Sequence, residues 1–455
     1  MNTLYSNKKL AKLLLPLVIE QLLIVLVGMA DVLMVATLGE AAVSGVSLVD
    51  AVNNLILQVL FALTAGGTVI CAQFVGRKDE RGAGKVGGQL FFITVSSMLL
   101  ISLILFLGNR PILSLIFGQV EAAVMDNAVI YMALTAMSFP FLAVYHSSAA
   151  VFRAMGNTKI SMLMSLLMNV INVSGNAICI FGLKMGVMGV GIPTLISRII
   201  AALAILTLLQ KKDNAMRIRN LSDLLPQSAL IRQILSIGIP NSVESGIFQF
   251  GKLILQSLVS TLGTPSIAAF AVASNLVTYL YLPGNALGAG MLTIIGQCYG
   301  AGEMGQARHY AKKLVLINYA MLAVLSSVLI FGRSFFVGCY QLTGISADLA
   351  RDLVFSHAVA MIIWPLGFLL PYYFRAIGRA AFTMVVAIVT MWLFRVGLAW
   401  VFIRLLHFNV LGIWYAMYVD WIFRMIIYVI AFWRSGGPLI SGKNTRLPRP
   451  QPPRG

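Results

Sequence analysis

Charge is scarce in this sequence, and negative charge scarcest: of 455 residues 33 are Lys or Arg, 15 are Asp or Glu, and 4 are His. Soluble domains carry roughly 25% charged and 45 to 50% apolar residues; the 11% charged and 59% hydrophobic here exclude a water-soluble core of this length and place the chain in a bilayer. Cysteine is equally sparse. Cys71, Cys179, Cys298 and Cys339 fall in apolar segments without a CxxC pair or ligand-like spacing, so neither a zinc site nor a disulfide framework is indicated. None of His146, His309, His357 or His407 lies in a His-Glu-x-x-His motif, no Asp-Asp pair occurs, and there is no phosphate-binding Gly-rich loop. These absences exclude an intramembrane metalloprotease, a prenyl-transfer site and ATP-driven transport within this chain. No enzyme and no cofactor is therefore expected.

What the sequence does contain is a series of long apolar runs. A spanning helix needs about 20 mainly apolar residues, and such runs lie at 10–36, 46–74, 87–108, 128–152, 160–182 and 187–210, then at 234–262, 266–298, 311–332, 354–376, 381–405 and 411–434. The fold class is thus all-α, integral to the membrane, with about twelve transmembrane helices. Lys8, Lys9 and Lys12 before the first run resemble the start of a signal peptide, but no small-residue cleavage site closes the run, and it reads as a first membrane helix. The net charge of +18 follows from basic residues in short loops. No arm with interleaved aromatics accompanies them, so nucleic acid is not an expected partner.

Those basic residues alternate loop by loop. Lys8, Lys9 and Lys12 precede the first run, none follows it, and Arg77, Lys78, Arg81 and Lys85 follow the second; Arg153 and Lys159, then Arg308, Lys312 and Lys313, then Arg375 and Arg379, continue the rich side. Lys and Arg favour the cytoplasmic face, so both termini are expected in the cytoplasm, in a plasma or bacterial inner membrane. Residues 1–210 then form an N-terminal six-helix lobe, 211–233 a cytoplasmic linker, 234–434 a C-terminal six-helix lobe, and 435–455 a Pro-rich tail with little to bury, expected to be disordered.

The halves repeat. Pro16, Glu20, Leu38, Gly39, Gln73 and Gly76 coincide with Pro240, Glu244, Leu262, Gly263, Gln297 and Gly300 at a constant offset of 224 positions, and Phe152 to Gly156 pairs with Phe374 to Gly378. Six spans per repeat make the repeats parallel, related by an axis along the membrane normal. Secondary transporters built this way bind substrate at the repeat interface near mid-bilayer and alternate access by rocking one half against the other.

Ala30-Asp31 followed by Val35 to Gly39, the run Ala72 to Gly76, the run Phe152 to Lys159, and the repeat copies Gly296 to Ala301 and Phe374 to Gly378 together resemble the multidrug and toxic compound extrusion (MATE) family, over nearly the whole chain up to about residue 434. The resemblance implies a V-shaped pair of lobes that exports organic cations or other amphiphiles in exchange for H+ or Na+. One branch of the family holds the coupling cation in the N-terminal lobe; carried over, its residues are Asp31, Asn172, Asn176 and Thr194, with Asn176 standing where the family has an acid. Another branch uses two acids in the C-terminal lobe, and this chain departs from it: Glu244 sits one turn closer to Pro240, and Trp364 occupies the expected Asp position.

An ionisable side chain at mid-membrane costs about 2.5 to 3.5 kcal/mol on insertion scales and is a functional hypothesis by default. Asp31 has two readings, a coupling carboxylate or a packing acid hydrogen-bonded to Asn172. Asn172 and Asn176, one turn apart, are either ligands for a hard cation such as Na+ or inter-helix glue. Glu20 and Glu244, at equivalent repeat positions, suit a shared structural role paired with Arg153 and Arg375; Asp50 is a further possible coupling or structural acid. Lys252, whose repeat partner is Gly28, either neutralises Glu244 or meets a partner on another helix, Arg198 and Arg395 snorkel or pair, and Asp420 and Arg424 form an i, i+4 ion pair. Met29, Met34, Phe61 and Phe248, with Tyr281, Met291 and Trp364, are candidates for a cavity that repacks around varied ligands, the alternative for each being contact with lipid or a neighbouring helix.

The expected function is secondary active efflux of small amphiphilic or cationic substrates, by a monomer, with H+ or Na+ as the coupling ion and no resident metal beyond a possible Na+ at Asp31. A lipid-linked sugar flippase of the same superfamily is the nearest rival and a membrane-embedded enzyme a more distant one; an uncharged central cavity would speak against the flippase.

Overall fold

In the computed structural model the described residues are 4–118, 120–211, 214, 216 and 221–435, and among them there is no strand. The spans are α1 (Asn7–Ala36), α2 (Glu40–Gly76), α3 (Glu80–Leu107), α4 (Ala122–Ala154), α5 (Thr158–Gly182), α6 (Met188–Leu209), α7 (Ser228–Ser260), α8 (Thr264–Gly300), α9 (Met304–Gly338), α10 (Gly344–Ala360 with Pro365–Ala376), α11 (Ala380–Arg404) and α12 (Leu411–Arg434). Ten are long and apolar enough to cross a bilayer, and α10 is a pair bent by 65°. The remaining one, α7, has 33 residues, enough at about 1.5 Å per residue to cross; its Glu244, Lys252 and several amides lower its hydropathy.

Local sequence sets the boundaries. Ser6 caps α1 by accepting from the Lys9 amide, and Asp79 caps α3 by accepting from Gly82 N at 2.8 Å. The repeat-related glycines Gly39 and Gly263 enter α2 and α8 at φ 94° and 86°, and Gly156 and Gly378 follow α4 and α10 at φ 81° and 82°. Side chains rarely adopt that region, so the repeat preserves its turns as well as its helices.

Several elements differ from the sequence expectation. Between α3 and α4 a nine-residue helix, Asn109–Phe117, was not foreseen, being too short to register as a span. The tenth span was expected as one run at 354–376 but starts at Gly344 and breaks before Pro365, where Pro365 and Pro371 remove backbone donors and the helix widens to π geometry over Pro365–Leu369. The same widening occurs at Ile178–Gly182 in α5 and Met391–Gly397 in α11. The linker expected at 211–233 is shorter, since α7 begins at Ser228. Its last part is tied to α3 by the buried Gln89, which donates to the carbonyls of Asp223 and Leu225 and accepts from Gln227 N, each at 2.8 Å. Lys212, Arg217, Arg219 and the tail from residue 436 onward lie outside the described residues.

The first six helices pack on one another with α4 against α2, α3 and α6; the last six gather around α10 and α12. The bundles meet mainly through α2, which packs against α7 and the second half of α8, and through the first half of α1. Small residues permit this approach. A side chain on Gly76 or Gly300 would strike the Gln297 or Gln73 backbone across the seam, and one on Gly66 would stand 2.6 Å from the Ile234 carbonyl oxygen. At the same end Gln73 Nε2 donates to Ala376 O at 2.9 Å and Gln297 Nε2 to Ala154 O at 2.7 Å, so the repeat-related glutamines reach across in opposite directions. All these contacts lie at the end carrying the basic loops. Leu10, Leu13, Leu14 and Leu17 of α1 are buried there, whereas Leu26, Val32 and Leu33 near its other end are exposed.

Candidate functional site

The polar residues inside the first bundle form a chain across three helices. Gly175 of α5 lies against Pro193 of α6, where a Cβ would meet the ring carbon at 2.7 Å, and this close approach brings Asn172 and Asn176 beside Thr194. Thr194 donates its hydroxyl to Val190 O at 2.8 Å and accepts from Asn172 Nδ2 at 3.0 Å. Asn176 Nδ2 donates to Asp31 Oδ1 of α1 at 2.9 Å, with a longer 3.4 Å contact to Asn172 Oδ1. Asn176 is fully buried and its Oδ1 has no partner. The amide at 176 therefore does what an ionised acid there could not, donating to Asp31 and supporting its negative charge. Asp31, the free Asn176 oxygen, the Asn172 oxygen and the Thr194 hydroxyl are oxygen atoms of the kind a hard cation accepts as ligands.

Asp50 of α2 stands beside this chain. Tyr131 OH of α4 donates to its Oδ1 at 3.3 Å and Asn53 Nδ2 approaches at 3.5 Å. Arg198 of α6 donates to Ser138 Oγ at 2.6 Å and lies within electrostatic reach of both Asp31 and Asp50. One cation thus faces two acids. Tyr131 and Ser138 were not singled out from the sequence because a neutral hydroxyl carries no insertion penalty that marks it; Arg198 carried that mark, but not the identity of its partners.

The repeat-related acids occupy the basic-loop end. Arg375 donates to Glu244 Oε1 at 2.7 Å, and Arg153 lies 3.7 Å from Glu20 Oε1, with Ser161 Oγ donating to the same carboxylate at 3.1 Å. Lys252 does not neutralise Glu244; its ammonium lies over the Phe248 ring, 5.2 Å from the centroid.

The second bundle has its own buried ionic cluster. Asp420 of α12 contacts Arg424 at 2.7 Å and Arg395 of α11 at 3.2 Å, all three nearly inaccessible. Around it His357 Nε2 meets Tyr281 OH at 2.9 Å, and Trp364 stacks on Phe368 with centroids 5.5 Å apart. Of the cavity candidates, Met29 and Phe61 are exposed, the former 3.4 Å from Tyr279 OH across the bundles and the latter edge-on to His146. Met34, Phe248 and Tyr281 are part-buried. Met291 and Trp364 are not on a free surface: Met291 is completely enclosed in the α8 core and Trp364 packs into the bend of α10 over Gly284. Their helices were assigned from the sequence, but their rotation about the helix axis was not.

Comparison with known proteins agrees with this architecture. The chain is 27% identical to the uncharacterized transporter YisQ of Bacillus subtilis, covering 92% of each chain. It is 25% identical to a probable multidrug resistance protein NorM of Thermotoga maritima, covering 94% of this chain and 92% of the relative. The fold superposes on the outward-facing conformation of a multidrug resistance MATE family transporter of the MOP superfamily with a TM-score of 0.86, at 19% identity, over 94% of this chain and 95% of the other. The MatE family model matches twice, at residues 16–178 and 240–401, which are the two halves of the repeat and most of the chain. The chain therefore belongs to the MatE family of membrane transporters.

Proposed function

We propose that this transporter exports small amphiphilic molecules, organic cations among them, in exchange for H+ or Na+, by alternating access of its two bundles, with coupling at Asp31. The observation that carries this reading is the hydrogen-bonded chain from Asp31 through Asn176 and Asn172 to Thr194, a carboxylate and amide oxygens held inside the apolar span of one bundle. Burial disfavours the charged form of a carboxylate in general, so a group so placed binds a cation more readily than one in water. Cation binding at Asp31 would favour one arrangement of the bundles and substrate the other, so that each expels its competitor. With the basic loops on the cytoplasmic side, both termini are cytoplasmic and the seam held by Gln73 and Gln297 closes the inner end. The unit of function is a monomer, in the plasma or bacterial inner membrane. Glu20 and Glu244, paired with Arg153 and Arg375, serve as structural acids.

The test is efflux of a fluorescent organic cation from proteoliposomes under an imposed H+ or Na+ gradient, in wild type and Asp31→Asn. Gradient-driven efflux that disappears in the variant supports coupling at Asp31. Undiminished efflux would move coupling out of the N-terminal bundle, and no gradient-driven flux in the wild type would count against antiport altogether.

A further inference from the structure

The second bundle holds a surplus of positive charge that ion coupling at Asp31 does not use. Asp420 faces both Arg424 and Arg395. Arg424 is satisfied, with Nε on Asp420 Oδ1 at 2.7 Å and Nη2 on Ala387 O at 3.0 Å. Arg395 is not. Its side chain is 5% exposed, yet its approach to Asp420 lacks hydrogen-bonding geometry, leaving Arg395 Nε and Asp420 Oδ2 both without partners. No hydrogen bond joins its guanidinium to any described residue. Of the five N–H donors of a guanidinium, the one on Arg395 Nε is buried without a partner, which is costly.

Two further observations point to what it awaits. Arg395 lies 5.1 Å and Lys252 5.2 Å from the centroid of one ring, Phe248. Lys252, one turn beyond Phe248 on α7, is exposed, lies within electrostatic reach of Arg395, and has no ion-pair partner among the described residues. Arg395 also sits in the π-widened turn Met391–Gly397 of α11, a geometry that concentrates at functional sites. The equivalent of Lys252 in the first repeat is Gly28, so the feature belongs to one bundle only.

We infer that Lys252 and Arg395 form a recognition site for an oxyanion-bearing amphiphile, its carboxylate, sulfonate or phosphate held between the two cations and its apolar body against Phe248. The inference rests on the transport reading and adds to its substrates amphiphiles that carry such a group. Arg395 supplies paired planar donors and Lys252 a mobile point charge.

The test is equilibrium binding to the purified full-length protein in phosphatidylcholine nanodiscs, with no ion gradient, using octyl phosphate and octyltrimethylammonium as probes of matched length and opposite charge. Octyl phosphate is expected to bind in preference, and Lys252→Gln and Arg395→Gln each to weaken it about tenfold or more, with Lys252→Arg restoring affinity. Lys252 is exposed, so its variants test the site even where Arg395→Gln fails to fold. Repeating the titration in phosphatidylglycerol nanodiscs separates two sources of the same group: competition there identifies a lipid headgroup as occupant, and unchanged affinity a soluble anion. Equal binding of the two probes, or octyl phosphate affinity unaffected by Lys252→Gln, would overturn the site. Because no gradient is imposed, loss of gradient-driven efflux leaves this result standing, and the two readings fail separately.

Discussion

If the two bundles alternate as proposed, the two glutamines that cross the seam provide a direct handle on their equilibrium. Gln73 donates to Ala376 O at 2.9 Å and Gln297 to Ala154 O at 2.7 Å. Each acceptor closes the last turn of its helix, where carbonyls have no partner within the helix. Each bond is made only when the bundles touch at this end. A net contribution of about 1 kcal/mol per hydrogen bond makes the combined Gln73→Ala and Gln297→Ala variant about 2 kcal/mol less favourable in the described arrangement. At about 1.4 kcal/mol per factor of ten, the ratio of the seam-open to the seam-closed arrangement should rise about 30-fold, and about fivefold in each single variant. Spin labels on Arg81→Cys and Gly305→Cys, exposed positions on opposite bundles at this end, would report it as weight moving to a longer distance in pulsed dipolar spectroscopy, with the four native cysteines replaced. A distance distribution in the double variant that matches the parent, from protein that melts at the parent temperature, would refute the reasoning.

Four further outcomes are expected. Asn176→Ala should leave Asp31 Oδ1 without its buried donor and lower stability by about 1 to 3 kcal/mol, read as a lower melting temperature; an unchanged melt would mean that water replaces the amide. Glu244→Ala should destabilise by about 1 to 3 kcal/mol, because the part-buried Arg375 loses its ionic partner and keeps only its bond to Thr383 Oγ1, while replacing both residues by Leu should recover much of the loss in a heated size-exclusion assay; a double variant as unstable as the single would refute that pairing argument. Gln89→Ala, which removes three bonds to the linker, should speed trypsin cleavage after Lys211 or Lys212, seen as two halves on a gel; cleavage at the parental rate would show the linker held by other contacts. Gly66→Leu should drive α2 and α7 apart at the seam, since even a Cβ there meets backbone atoms of α7, and a gain in labelling of seam residues by a membrane-impermeant maleimide would register it; no gain would mean that the backbone shifts to absorb the side chain.

Much of the architecture is determined by the sequence alone, for a physical reason peculiar to membranes. Within lipid every backbone polar group must be satisfied inside its own segment, so a long apolar run has one solution, and the spans and their order follow from hydropathy. The repeat then relates positions: it put Glu20 and Glu244 in one structural class, and the structure joins them to Arg153 and Arg375. The glycines that turn the chain repeat with them. The gathering of Asp31, Asn172, Asn176 and Thr194 was legible only through likeness to a family, because nothing in the spacing of α1, α5 and α6 states that they meet.

Tertiary structure decided what depends on rotation about a helix axis and on partners distant in sequence. Met291 and Trp364 are apolar residues on the expected helices, yet packing turned them into the core. The break in α10 and the π-widened turns shift the phase of everything beyond them, and local periodicity cannot anticipate such a shift. Lys252, Phe248, Arg395, Asp420 and Arg424 come from three helices spread over more than a third of the chain. Each was visible in the sequence as a costly charge or an aromatic, but that one guanidinium would be satisfied and the other left without a hydrogen bond is a matter of ångströms that only the packed bundle fixes.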